Sequence, residues 1–407
     1  MHCLRAVAAA QVSTMRTAAD VADMLDASRV RTLSVYAHLT GLQREFPRLT
    51  EVNPPRWELG HIGWFQEFWC RRHAPDDPAG ARTPSRVAGA DELWNSARVP
   101  HDARWDLPLP DWDGILAYLA GTLADTLQSL DRAEPGDDLY FARLALLHED
   151  MHAEALLMTL QTLGLPAPAA PAAEVRPAAV VATPATGDLE LPGGEFELGA
   201  AATDVAHRFV WDNERWAHRV SLAPFAIARR CVTQGEFAAF VDAGGYRHTG
   251  LWDDDGLAWL AARSRQAPAH WRRCTGREGE WRQRRFEQWL PLAPDAPMQH
   301  INAYEAAAWC RWAGRRLPSE AEWEYATLHG LPAGGVWEWT ASVFLPYPGF
   351  TPQPYAEYSA PWFGDHRVLR GASWATSPRL PGPRFRNFYL PMRHDPFCGF
   401  RSCANRE

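Results

Sequence analysis

The chain has 407 residues, 46% of them hydrophobic and 22% charged, with a formal net charge of -8. That length suits two domains better than one. The acidic balance excludes the basic face that a nucleic-acid partner needs, and no apolar run approaches the ~20 residues of a membrane-spanning helix.

The first residues carry a short Ala-rich stretch, Ala6 to Ala10 interrupted by Val7, too short and too weakly apolar for a signal-peptide core. Met15 is an alternative start. The seven cysteines are odd in number and form no C-x-x-C pair, which predicts reduced thiols in a cytoplasm and not a disulfide framework. Residues 17 to 48 place Val21, Leu25, Val30, Leu33, Val35, Leu39 and Leu42 at helical spacing. A second helix is expected from Asn53-Pro54-Pro55, with Asn as N-cap and Pro in the first turn. On it Trp57, His61, Trp64, Phe65 and Phe68 share one face. A third helix is expected from Trp112 to Leu130. A fourth is expected from Leu139 to Leu163, stopped by Gly164-Leu165-Pro166. Residues 166 to 187 then read PAPAAPAAEVRPAAVVATPATG, too rich in proline for regular helix. The expected organisation is a helical bundle over 1–165, a linker over 166–187, and a second domain over 188–407.

The fourth helix contains Leu147-His148-Glu149-Asp150-Met151-His152. His148 and His152 are one turn apart, so both imidazoles project from one face, and two neutral imidazoles at that spacing can chelate one ion. His61, on a facing helix, would complete a three-histidine set. The run also matches the zinc-protease pattern H-E-x-x-H, in which Glu149 would be the general base. A bundle context and the lack of a downstream third ligand weigh against that reading. Glu58, Glu149 and Glu154 are candidate acceptors for the histidine N–H groups, or simply polar positions on exposed faces. Ligand type alone leaves iron and zinc open.

Past the linker, Leu191-Pro192-Gly193-Gly194 leads into a short strand, and Thr233 caps a helix through Phe240. Another helix holds Asn302 to Cys310. Ser319 with Glu322 forms a capping box. Few helices, many turns and many Trp predict an irregular α+β domain.

The strings RRLPSEAEWEYA, VWEWT, VLRGASW and GFR resemble the formylglycine-generating-enzyme (sulfatase-modifying) fold, a C-type-lectin-like variant. The N-terminal part resembles a DinB-type four-helix bundle, whose metal histidines match His61, His148 and His152. Together the two halves resemble the iron-dependent sulfoxide synthases of ergothioneine and ovothiol biosynthesis. The segments NPPRWELGHIGWFQEFW, NSARVPHDARWDLPLP and HEDMHAEALLMTLQTLGLP resemble the selenoneine-forming branch.

That resemblance implies an oxidoreductase with an Fe(2+) cofactor that uses O2 to bond the imidazole C2 of hercynine to selenium from a selenosugar. It implies small-molecule partners only, in a monomer or homodimer. The same chemistry with a thiol donor is the alternative. A DinB-type zinc hydrolase or thiol transferase, a lectin-like binding module and formylglycine generation are the others; the last needs paired cysteines that Cys398 and Cys403 fit loosely. Gly335 stands where calcium-binding versions of the fold carry Asn.

The departures from the sulfoxide-synthase pattern concern the substrates. Met151 stands where a hercynine-contacting Gln is usual. Asn387-Phe388-Tyr389, with Arg393 following, replaces Asn-Trp-Asp with its Arg. Arg104, and less directly Arg98, are what remains of an arginine-rich loop for a γ-glutamyl carboxylate. Trp337, Trp374 and Tyr389 are candidates for a sugar platform, Phe388 and Trp64 for the quaternary ammonium. Tyr347, Tyr355 and Tyr358 are candidates for a catalytic tyrosine.

Overall fold

A computed structural model of the chain describes residues 17–40, 46–49, 51–74, 77–168, 186–206, 208–274, 279–380 and 382–405. Two compact units emerge. One comprises Met1–Glu174, Thr203–Phe209 and Thr376–Leu380; the other comprises Val175–Ala202, Val210–Ala375 and Pro381–Glu407. The expected linker falls mostly outside the described residues, as do Cys3 and the stretch up to Met15. No helix among the described residues is long and apolar enough to cross a membrane.

The first unit is built on four long helices: α1 (Ala18–Tyr36), α2 (Pro55–Glu67), α4 (Trp112–Asp131) and α5 (Tyr140–Leu163). A short α3 (Ala90–Trp94) and an antiparallel strand pair, β1 (His73–Ala74) with β2 (Asp77–Ala81), lie between the second and third of these. Thr17 and Asp20 form a capping box at the start of α1, satisfying two amides that have no intrahelical partner. That helix ends at Tyr36, well short of the expected 48. Asn53 does not cap α2: Pro54 occupies the N-cap without a side-chain hydrogen bond, and Asn53 Oδ1 accepts from Arg104 instead. Asp111 caps α4, and Gly164 closes α5 in the left-handed conformation at φ 69°, where a Cβ would be strained. Val21, Leu25, Leu123, Leu130 and Leu146 meet in a buried core. At about 25 cal/mol per Å² of apolar area, such burial is the main term favouring the bundle.

Polar groups also cross this interior, each with partners. Asp150 is fully buried and accepts from Ser28 Oγ at 2.8 Å, Ser377 Oγ at 2.9 Å and Arg379 Nε and Nη2 at 2.8 and 2.7 Å. A buried carboxylate is tolerated only when paired in this way. The segment Thr376–Leu380, remote in sequence, is thereby an integral part of the helical unit.

The second unit is the expected α+β domain. One four-stranded sheet runs β10 (Arg315–Arg316), β15 (Cys403–Ala404), β6 (Phe225–Ala228), β3 (Asp188–Leu191). Another runs β13 (Asn387–Tyr389), β12 (Arg367–Gly371), β11 (Trp337–Val343), β14 (Cys398–Phe400), with β11 parallel to β14. Hairpins β4 (Gly194–Leu198) with β5 (His218–Leu222), and β7 (Trp271–Arg273) with β8 (Trp281–Arg285) and β9 (Gln288–Pro291), complete the strands. The helices are α6 (Gln234–Asp242), α7 (Asp254–Arg263), α8 (Ala303–Trp312) and α9 (Glu320–Leu328). Capping boxes start α6 at Thr233, α8 at Asn302 and α9 at Ser319. Helix α7 has no counterpart in the sequence reading, although Asp253 caps it. Cys398 and Cys403 are both free and buried on different sheets, so they do not make the paired thiols of a formylglycine-type centre. Burial pushes the Cys403 thiol up to about 12, which makes it inert.

Candidate metal centre

The helical unit brings His61, on α2, against His148 and His152, on α5. One ligand atom from each lies within 4.8 Å of the other two, and among the described residues this is the one such group of three or more. Helical periodicity explains the pair on α5. The long-range part is the packing of α2 across α5, which places His61 opposite them.

The ring orientations are set by hydrogen bonds. His61 Nδ1 lies 2.8 Å from the Trp94 carbonyl, and His152 Nδ1 lies 2.8 Å from Glu58 Oε1. Both acceptors require a proton on Nδ1, which fixes the tautomer and presents Nε2 as the ligand atom. Glu58 is 1% exposed, while its partner His152 is only partly buried. Burial, and next the neighbouring His152, push the imidazoles of His61 and His148 well below the ordinary histidine range. They are neutral at physiological pH, the state a metal ligand needs.

Aromatic rings wall the site. Trp57 stacks on His61 at 4.9 Å and 9°, Trp64 at 5.8 Å and 20°, and Phe65 stacks on His148 at 3.5 Å and 2°. Arg104 sits over the Trp57 ring at 3.8 Å. Its guanidinium donates to Asn53 Oδ1 and the Val99 carbonyl. Gly60 on α2 is where close approach matters: a Cβ there would lie 2.2 Å from Trp94 Nε1.

The protease reading fails on Glu149. Its carboxylate is 1% exposed and receives Arg29 Nε at 2.8 Å and Nη2 at 3.1 Å, so it is engaged as a buried ion pair and does not serve as a base. Neither Arg29 nor the Trp94 carbonyl was legible beforehand. Arg29 shares the buried side of α1 with Ser28 and Thr32, a polar face that sequence pattern would place in solvent. A backbone carbonyl carries no sequence signal at all.

Of the substrate candidates in this unit, Met151 lies on α5 between His148 and His152, half-buried. Arg98 is exposed, 4.0 Å from Glu92. In the second unit, Asn387, Phe388 and Tyr389 form β13, paired with β12. Phe388 stacks on Phe344 at 4.1 Å and meets Tyr358 edge-on at 5.8 Å. Tyr358 stacks on Trp211 at 4.0 Å, with Tyr355 at 6.1 Å. Arg393 lies against Tyr389 and pairs bidentately with Asp395 at 2.5 Å. Trp337 is buried on β11 against Phe385, and Trp374 packs on Phe397 at 4.7 Å. Tyr347 is buried over the Arg386 guanidinium at 4.0 Å and donates to Glu320. Burial and Glu320 push its hydroxyl far above the ordinary range, which suits a packing role.

Comparison with known proteins matches both halves. Residues 172–333 and 328–406 match the sulfatase-modifying factor enzyme 1-like domain, and residues 24–156 match the DinB superfamily. A hercynine oxygenase of Mycolicibacterium smegmatis is 33% identical, over 94% of this chain and 97% of that protein. One of Mycobacterium tuberculosis is 34% identical, over 86% and 90%. Among solved structures, PvdO from Pseudomonas aeruginosa aligns over 54% of this chain and 94% of that one, at 20% identity and a TM-score of 0.33.

Proposed function

The chain belongs to the hercynine oxygenase family, and we propose that it is an O2-dependent oxidoreductase that bonds a chalcogen donor to the imidazole C2 of hercynine, with Fe(2+) held by His61, His148 and His152. The observation that carries this reading is the three-histidine cluster, with ligand atoms within 4.8 Å. Iron bound there would supply O2 activation and a coordination position for a soft donor. Everything else is done by the chain. His61, His148 and His152 offer one ring nitrogen each. Glu58 and the Trp94 carbonyl hold two of the rings in register. Trp57, Trp64 and Phe65 wall the site with apolar surface.

A thiol donor giving a sulfoxide is the reading that the ergothioneine-type resemblance supports. A selenosugar donor is the second, and one observation favours it. The arginine expected to grip an amino-acid donor, Arg393, is already neutralised by a bidentate pair with Asp395. A neutral, hydroxyl-bearing donor needs no such cation.

The test is anaerobic reconstitution with iron(II), then O2 and hercynine with either γ-glutamylcysteine or a selenosugar, read by mass spectrometry. Product with the thiol alone assigns the sulfoxide reaction, and product with the selenosugar alone assigns the selenium reaction. His148→Ala should abolish either. No product and no O2 uptake with either donor would overturn the proposal.

A further inference from the structure

From His61 and Trp64 on α2, ring contacts continue through Phe68 and Trp69 in the π-helical turn Phe68–Arg72 that follows it. His61 stacks on Trp64 at 5.8 Å and 20°. Trp64 stacks on Phe68 at 5.4 Å and 22°, and Phe68 meets Trp69 edge-on at 5.1 Å. Trp69 in turn lies 4.7 Å from His73, which is only partly buried. Core packing asks for apolar volume at these positions. It does not ask for two oxidisable indoles, Trp64 and Trp69, joined through Phe68 by ring contacts to the buried His61.

The two tryptophans that touch His61 differ electrostatically. Trp57 has a guanidinium over its face at 3.8 Å and donates its N–H to a neutral carbonyl, that of Leu93. Positive charge on that ring is opposed. Trp64 donates its N–H to the Asp91 carboxylate at 2.6 Å, a charge-assisted bond that strengthens when the ring becomes positive. Burial alone would push the Asp91 carboxyl up, but hydrogen bonds from Arg72 and Trp64 hold it below its ordinary range, so it is ionised. Trp64 is therefore the easier of the two to oxidise.

We propose that Trp64 and Trp69 form a one-electron relay that drains oxidising equivalents from the metal centre when O2 reacts there without organic substrate. The proposal rests on the iron and O2 reading above. In it, one electron leaves the Trp64 indole and reduces the O2-derived oxidant at the metal site by one equivalent. The indole N–H proton shifts toward Asp91. Trp69 supplies the next electron through the Phe68 contact, and a small one-electron reductant in solution, such as ascorbate, refills Trp69. The proton then returns from Asp91 to Trp64. The ligand histidines are spared.

The experiment uses the full chain loaded with iron(II), exposed to O2 without hercynine, with and without ascorbate. Oxygen uptake is recorded, and peptide mass spectrometry locates added oxygen atoms. In the wild type, the marks are expected on Trp64 and Trp69 and should be suppressed by ascorbate. Trp64→Phe should move them to His61, His148 and His152 and speed iron release, whereas Trp57→Phe should leave their distribution as in the wild type. Circular dichroism verifies that both variants fold. Asp91→Asn, which keeps both indoles, should lower the marks at Trp64. Oxygen uptake with marks on the ligand histidines of the wild type, unchanged by Trp64→Phe, would overturn the relay and leave the function standing. No uptake without hercynine, with uptake restored by hercynine and a donor, would overturn the relay alone; no uptake under either condition would overturn both.

Discussion

Gly60→Ala sets two physical effects of opposite sign against each other. In the interior of α2, Ala is favoured over Gly by ~1 kcal/mol of helix propensity. If only local structure mattered, the variant would be more stable. Packing opposes this. The new Cβ would sit 2.2 Å from Nε1, 2.3 Å from Cε2 and 2.7 Å from Cζ2 of Trp94. An ordinary contact begins at 3.4 Å, so the indole or α2 must withdraw by the difference. Trp94 is fully buried and stacked on Tyr118 at 5.2 Å, so it has no open direction in which to move. Overpacking of this kind costs ~1–3 kcal/mol, more where the neighbour is a rigid ring. The net expectation is destabilisation by up to about 2 kcal/mol. The same displacement carries the Trp94 carbonyl away from His61 Nδ1, now 2.8 Å distant. Loss of such an outer contact lowers metal affinity ~10–100-fold. Urea unfolding of the metal-free protein and a competitive chelator titration measure the two effects. A variant that is more stable than the wild type, with metal affinity unchanged within about twofold, would refute the packing argument.

Glu58→Gln keeps the shape but removes the charge that accepts from His152; metal affinity should fall ~10–100-fold with little change in unfolding. Equal affinity would mean that the contact does not orient the ring. Arg401→Met removes the partner of Glu338, both fully buried and joined at 2.8 and 2.9 Å. Stranding that carboxylate should cost ~3–5 kcal/mol, and adding Glu338→Leu should recover part of it; a thermal melt without a large drop would count against the pair. Glu305 gives a pH signature. Burial raises its carboxyl to about 7 from 4.5, despite donors from Tyr246 and Asn302. A carboxyl raised in the folded state keeps its proton longer there, so its contribution is full below 4.5 and is lost as pH rises to about 7. The stability of the wild type relative to Glu305→Gln should therefore fall across that window. A difference that is flat with pH would show that Glu305 is not raised.

Local signals were readable where the physics is local. Thr233, Asn302 and Ser319 each announce a helix start, because a short polar side chain three residues before an acid satisfies stranded amides without help from the rest of the fold. Gly164 announces the end of α5 for the same kind of reason. The expected N-cap at Asn53 failed because Arg104, fifty-one residues away, takes its side chain. The first helix stops at Tyr36 although its apolar spacing continues: periodicity is permissive, and tertiary packing decides how much of a periodic stretch is used.

Composition and spacing along the chain are enough for the two-part architecture and for the histidine pair on α5. A spacing of four residues on a helix puts His148 and His152 on one face whatever surrounds them. Packing between remote segments chose which residues serve those histidines. It turned Glu149 into a partner of Arg29, gave His152 to Glu58 and gave His61 to a main-chain carbonyl of α3. It also drew Thr376–Leu380 into the helical unit against Asp150. Each of these contacts joins residues far apart in the chain, and its geometry is set by how helices and loops pack to bury apolar area. Sequence spacing encodes what one element presents, and packing alone selects what it meets.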